Sequence, residues 1–190
     1  LKHRDDIDAD FAPSIITGKA AERDFELQAT LFEFSRLFNY DERNDRAIAI
    51  VGATFLETIL EHILRAFLID NEKEVDKLLQ YDHPLGTFSG KITMAYCLGL
   101  IYKPVRDDLD LVRKIRNEFA HDLYASFENE KIKSWCSNLK WHRISHVANP
   151  PQDATARDLF QVGANQLVCN LTGMVGIARR QKRKVEKHFE

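Results

Sequence analysis

From Asp24 onward the apolar residues of this chain return at helical intervals. Phe25, Leu27, Ala29, Leu31, Phe32, Phe34, Leu37 and Phe38 predict a helix of roughly four turns. A short polar link, Asp41 to Asp45, leads into DRAIAIVGATFLETILEHILRAFLID, which is apolar on most faces, as the central helix of a bundle is. Its polar exceptions, Glu57, Glu61 and Arg65, stand at i, i+4 and i+8 and so fall in one row. A short helix is predicted from about Glu72 to Leu79, ahead of the turn YDHPLG. SGKITMAYCLGLI then reads as a helix capped by Thr87 or Ser89. Lys103 and Pro104 end it. Pro104 suits the first position of the next helix, whose Asp107, Asp108 and Asp110 match the positive end of the helix dipole.

After Tyr124 the text changes. One short helix signal runs from about Glu130 to Leu139, and a loop follows that closes with Pro150 and Pro151. Asp153 or Thr155 is placed to cap a last, long helix, expected over about 153–189. Its apolar positions, among them Leu159, Phe160, Leu167, Leu171 and Val175, keep helical spacing until about Ala178. Residues 1–22, polar and broken by Pro13 and Gly18, are expected as an irregular arm ahead of a helical domain of 23–190. No β-alternation of useful length and no internal repeat appears. The expectation is an all-α, single-domain bundle of six or seven helices.

Composition narrows the partners. At 190 residues and 44% hydrophobic, the chain can bury one substantial core. Lys and Arg number 27 against 29 Asp and Glu, so no global field attracts nucleic acid or an anionic membrane. Nucleic-acid contact must therefore come from a local patch, and ARRQKRKVEKHFE is the only basic run. Arg179, Arg180, Lys182, Arg183 and Lys184 read either as a solvated helix end favoured by the dipole or as a phosphate-backbone contact. No helix-turn-helix with a base-reading helix accompanies them. Cys97, Cys136 and Cys169 are scattered among apolar residues, which suits buried thiols in a reducing compartment. The apolar run from Ala47 to Leu60 is broken by Thr54, Glu57 and Thr58 and is shorter than the ~20 residues of a membrane span. With the charged start LKHRDDIDADF in place of a signal peptide, a cytoplasmic protein without membrane contact is expected.

The stretch RKIRNEFAHD, 113–122, carries the sharpest chemical question. Three ordered blocks, DRAIAIVGATFLETILEHILRAFL, PLGTFSGKITMAYCLGLI and DLDLVRKIRNEFAHD, resemble those of the mannitol operon repressor family, MtlR, over about residues 45–122. The resemblance implies an all-helical bacterial regulator of sugar-alcohol uptake that acts through a protein partner in transcription or sugar transport, with no reaction and no cofactor. The spacing of Arg116 and His121 also resembles the Arg-x4-6-His signature of the HEPN superfamily of helical domains. That second resemblance implies a metal-independent endoribonuclease or toxin in which Arg116 holds the scissile phosphate and His121 moves protons, with Asn117 beside them and motifs meeting across a homodimer.

Helix geometry separates the pair. Asn117 and His121 point within about 40° of each other, but Arg116 and His121 diverge by about 140°. Leu111, Val112, Ile115, Phe119 and Leu123 fill an apolar sector, with Arg116 at its edge, while Asp110, Arg113, Asn117 and His121 line the polar stripe. A guanidinium at such an edge needs a carboxylate, and Glu57 and Glu61 on the central helix are the candidates for a structural ion pair. A nuclease would need the helix to end or bend near Phe119, or a second copy to supply the histidine. A histidine titrates near ~6.5, so the chemistry is sound if the geometry closes.

Other constellations are weaker. Cys136, His142 and His146 lack a fourth zinc ligand, so no metal site is expected. Trp135 and Trp141 suit the edge of a core or, if exposed, a partner surface. Gly86 and Gly90 read as a turn and a helix start, not as a phosphate loop.

Overall fold

A computed structural model describes residues 19–38, 44–141 and 150–185. Within them the chain forms seven helices and no strand: α1 (Lys19–Leu37), α2 (Asp45–Phe67), α3 (Glu72–Leu79), α4 (Phe88–Cys97), α5 (Lys103–His121), α6 (Glu130–Ser137) and α7 (Ala156–Arg180). The all-α bundle expected from the sequence is the fold observed.

The starts follow from local chemistry. Asn44 accepts the N–H groups of Arg46 and Ala47 to open α2, Asn71 accepts Glu74 N–H to open α3, and Thr87 accepts Gly90 N–H to open α4. For α7 the cap is Thr155 rather than Asp153, because Asp158 three positions on completes a reciprocal capping box with it. Pro104 sits in the first turn of α5, where its missing N–H costs nothing. Gly99, with φ of 71°, takes the left-handed conformation that ends the α4 segment.

α2 is the axis of the core. Ile48, Ala49, Ala53, Leu56, Ile59, Leu60, Ile63 and Leu64 are all essentially inaccessible. Arg157 at the start of α7 pairs with Asp45 at the start of α2, and Arg183, just past α7, donates its N–H to Phe67 O at 2.7 Å. The two longest helices therefore run parallel. Gly52 lets Phe38 and Phe160 close on α2, since a Cβ there would lie 3.0 Å from one ring and 3.3 Å from the other. α5 packs on α2 and α4 through Val105, Leu109, Val112, Ile115 and Phe119, a helical stripe. Phe119, Phe127 and Phe160 continue it as a chain of rings with centroids 5.0 and 5.3 Å apart, joining α5 to α7.

Four differences from the sequence reading have physical causes. α1 begins at Lys19, so part of the expected arm is helical; the rest of the arm, 1–18, lies outside the described residues. Phe25 and Phe32 face solvent, because Leu27, Phe34 and Phe38 already fill the face toward α2. α7 stops at Arg180, short of the expected 189, as the chain turns across the end of α2 and gives the Arg183 amide to Phe67; 186–190 lie outside the described residues. The apolar stretch expected to be too short for a membrane forms a 23-residue helix, long and apolar enough to cross one. A central bundle helix has the same composition, and α1, α4, α5 and α7 cover it.

Candidate functional site

The residues of the motif sit on the last two turns of α5, and their positions differ sharply. The helix runs unbroken to His121, so no bend near Phe119 swings the imidazole round. Asn117 and Arg116 line an open groove of about 500 Å³ together with Glu57, Arg113 and the start of α4, Thr87 to Ser89. His121 is exposed and does not line it. Within one protomer the arginine and the histidine therefore occupy different faces, as their five-residue spacing dictates.

Arg116 is one-third exposed, and its Nη2 stands 3.8 Å from Glu57 Oε2, a loose pair, while no contact joins it to Glu61. The interior cation is Lys91 on α4, which sequence reasoning missed. Its Nζ lies 3.3 Å from Glu57 Oε1 and 2.9 Å from Glu61 Oε2, with the side chain only 7% exposed. Glu61 also holds Arg65 at 2.9 Å, and Arg65 holds Asp76 at 2.7 Å. The polar row on α2 is thus an ion chain reaching α3, α4 and α5. Burial pushes the Glu61 carboxyl up, but the bonds and charges of Lys91 and Arg65 outweigh it and hold the group below the usual carboxylate range. The signal was present: two carboxylates one turn apart on an apolar helix require a cation, and Lys91 is the single charge in SGKITMAYC.

Arg46 fixes the far end of α5. Its guanidinium donates to the carbonyl of Phe119 and, at 2.9 Å each, to those of Asp122 and Leu123. These carbonyls lie at or just past the helix end, where the helical ladder no longer supplies amides, and the Asp122 carbonyl also accepts the Ala125 N–H, so the first turn of α2 closes the helix at the motif histidine. In the groove, Arg113 pairs with Asp110 at 3.3 Å, whereas the Asn117 carboxamide has no hydrogen bond among the described residues. The arrangement offers guanidinium and amide donors and the Glu57 carboxylate beside a helix N-terminus, and the motif histidine is not among them.

A second polar cavity, about 440 Å³, lies between α1, α2 and α3 and includes Glu26, Glu61, His62, Arg65 and Asp76. Burial draws the His62 imidazole below its ordinary range, against the pull of Glu26 and Glu61. Among the described residues no three His, Cys, Asp or Glu side chains are grouped to hold a metal. Cys136 is buried and its thiol is pushed up to about 12 by burial; His142 and His146 lie outside the described residues. Cys97 and Cys169 are exposed, contrary to the expectation of buried thiols, because they fall on the outer faces of α4 and α7. Trp141 is buried and Trp135 packs partly against the core, with the Lys131 ammonium 5.0 Å from its ring centroid.

Within the described part of the basic run, Lys182 and Arg183 have partners. Lys182 reaches Asp70 at 3.3 Å, and the Arg183 guanidinium lies 5.0 Å from the Phe67 ring centroid. Arg180, Arg183 and Lys184 are exposed.

No protein-family model matches this chain, and no curated protein is a significant match to it. Among solved structures, the chain is similar to one in the X-ray structure of the MtlR-HPr complex from Escherichia coli, at 22% identity and a TM-score of 0.54. That likeness covers 79% of this chain and 98% of the other. At this identity the likeness establishes a shared helical fold.

Proposed function

We propose that this chain is a non-catalytic, repressor-type regulator of the MtlR kind, working in the cytoplasm through contact with a protein of a sugar-transport or transcription system. The observation that carries the reading is the division of the motif: Arg116 rests against Glu57 in a groove that His121 does not line. A reaction centre needs its acid or base within reach of the group it serves, and here the two are turned apart. The fold likeness to a chain crystallised in a complex with HPr supports a protein partner of that type. The experiment is calorimetric titration of the chain with an HPr protein from its own source, alongside incubation with varied RNAs. Saturable binding without RNA cleavage is expected.

A second reading has one specific observation in its favour. Arg116 and Asn117 stand together in an open groove, and His121 is exposed at a helix end, where another copy could receive it. In that reading the protein is a metal-independent ribonuclease whose arginine and histidine come from two protomers. RNA cleavage by the wild-type chain that disappears in His121→Ala, with folding intact, would replace the regulator reading by this one. Nucleic-acid binding through the tail rests on Arg180, Arg183 and Lys184, and would show as affinity falling steeply with salt.

A further inference from the structure

α1 has two unlike faces. Leu27 and Phe34, with Phe38 just past the helix, turn to the core at 8% exposure or less, whereas Phe25 and Phe32 project outward at 72% and 66%. Seven positions apart, these two rings stand two turns along one stripe, with Gln28, Ala29 and Arg36 on the same side and Glu22 at its edge. Single exposed apolar side chains are ordinary on a protein surface, but a register of two large rings around a small residue has the form of a helix-pairing seam.

We propose that this stripe joins two copies of the chain, α1 of one protomer packing antiparallel on α1 of its partner across a two-fold axis between Gln28 and Ala29. In that register Phe25 meets Phe32 of the partner subunit and Phe32 meets Phe25 of the partner subunit, so four rings interlock around the small Ala29 pair. The charges choose the direction. Glu22 and Glu26 lie toward the start of α1 and Glu33 and Arg36 toward its end, so antiparallel pairing sets Glu22 against Arg36 of the partner subunit, with Glu33 beside that arginine. Parallel pairing would stack like on like and align the helix dipoles. Arg36 holds Glu33 at 2.8 Å in the single chain, but that pair is exposed and exchanges readily.

The size of the seam sets its strength. Two phenylalanines, each with roughly 150–250 Å² to bury, leave the interface below the ~800 Å² per partner of a standard complex. Association is therefore reversible and concentration-dependent. The seam lies on α1, which packs on α2 and contributes nothing to the groove on α5, so its test is independent of the partner and nuclease readings.

Sedimentation equilibrium of the 190-residue chain, from low to high micromolar concentration, tests the pairing. Wild type is expected to pass from monomer to dimer. Phe25→Ser with Phe32→Ser, both at exposed sites, should raise the dissociation constant at least about tenfold with unchanged circular dichroism. Arg36→Glu should weaken pairing, and Glu22→Arg added to it should restore the constant to within about threefold of wild type. A wild-type chain that stays monomeric throughout overturns the proposal and leaves the stripe to another occupant. So does a double serine variant that dimerises like wild type, or a charge swap that fails to recover.

Discussion

Both carboxylate oxygens of Asp108 accept the backbone N–H of Lys140, at 2.8 and 2.9 Å, inside a core where Asp108 itself is wholly inaccessible. One amide does not replace the lost water. Burial pushes the Asp108 carboxyl up to about 6, against the opposing pull of the Lys140 amide and charge. Since the unfolded chain titrates near ~3.9, the native state holds a proton between about pH 4 and 6 that the unfolded state has released. From this group alone, stability is highest below about pH 4, falls as pH rises through that window, and has lost about 3 kcal/mol by neutrality. Asp108→Asn should remove that slope. Denaturant unfolding of both proteins at several pH values gives a difference curve, and a flat one would refute the account.

Lys91 should be among the most costly positions to neutralise. Lys91→Met leaves Glu57 and Glu61 facing each other with only the loose Arg116 contact and the Arg65 pair to compensate. Breaking a buried pair by removing one partner costs about 3–5 kcal/mol, whereas replacing the whole cluster by neutral groups is far milder. Lys91→Met is therefore expected to lower the urea midpoint markedly, and adding Glu57→Gln and Glu61→Gln to recover most of the loss. The depressed Glu61 carboxyl contributes stability above the unfolded carboxylate range that disappears as pH falls through its folded value. A triple variant no more stable than Lys91→Met would show that the cost lies in packing instead.

These two residues mark where sequence patterning reaches its limit. Helical periodicity located the seven helices α1 to α7 because Ile, Leu, Val and Phe recur at helical spacing on each inward face, as in Val105, Leu109, Val112 and Phe119 of α5. Periodicity identifies a face but not the neighbour it meets. The ion row on α2 was visible, and so was the need for a cation, yet choosing Lys91 over Arg116 required the crossing of α4 over α2. Likewise Phe25 and Phe32 look like core residues until Leu27, Phe34 and Phe38 are seen to fill the available surface of α2. Helix ends resist for the same reason, since the Arg183 amide leaves the helical ladder only because Phe67 O is there to receive it.

Gly163 should be intolerant of even one methyl group. A Cβ at this position would lie 2.8 Å from Trp141 Cδ1 and 3.3 Å from Leu139 Cδ1, and both residues are buried. Alanine has the higher helix propensity by roughly 1 kcal/mol, so an exposed helical glycine would gain from the change. Here overpacking of about 1–3 kcal/mol opposes it. Gly163→Ala is expected to be net destabilising, while Gly173→Ala, with nothing within 4 Å, should stabilise. Thermal unfolding of the two variants side by side reads the difference in sign, and equal shifts would contradict the close approach of Trp141.

Arg46 links the start of α2 to the end of α5, and its loss should be felt at the motif. The guanidinium serves the carbonyls of Phe119, Asp122 and Leu123, and Asp45 beside it accepts Phe127 N–H at 3.1 Å, so the α5–α6 connection is tied down from α2. Hydrogen bonds from a charged donor contribute about 1.5–3 kcal/mol, less where water has access, so Arg46→Ala should cost about 2 kcal/mol. A lysine cannot span three carbonyls and should recover little of it. The local signature is hydrogen exchange: the amides of Asp122 and Ala125, bonded to Glu118 O and Asp122 O, should exchange faster in Arg46→Ala. Those of Ile59 and Leu60, in the middle of α2, should be less affected. If the surface around His121 is where a partner docks, binding falls in proportion to this fraying, because the bound state must first order the helix end. Unchanged exchange at Asp122 and Ala125 would show that α5 is terminated without Arg46.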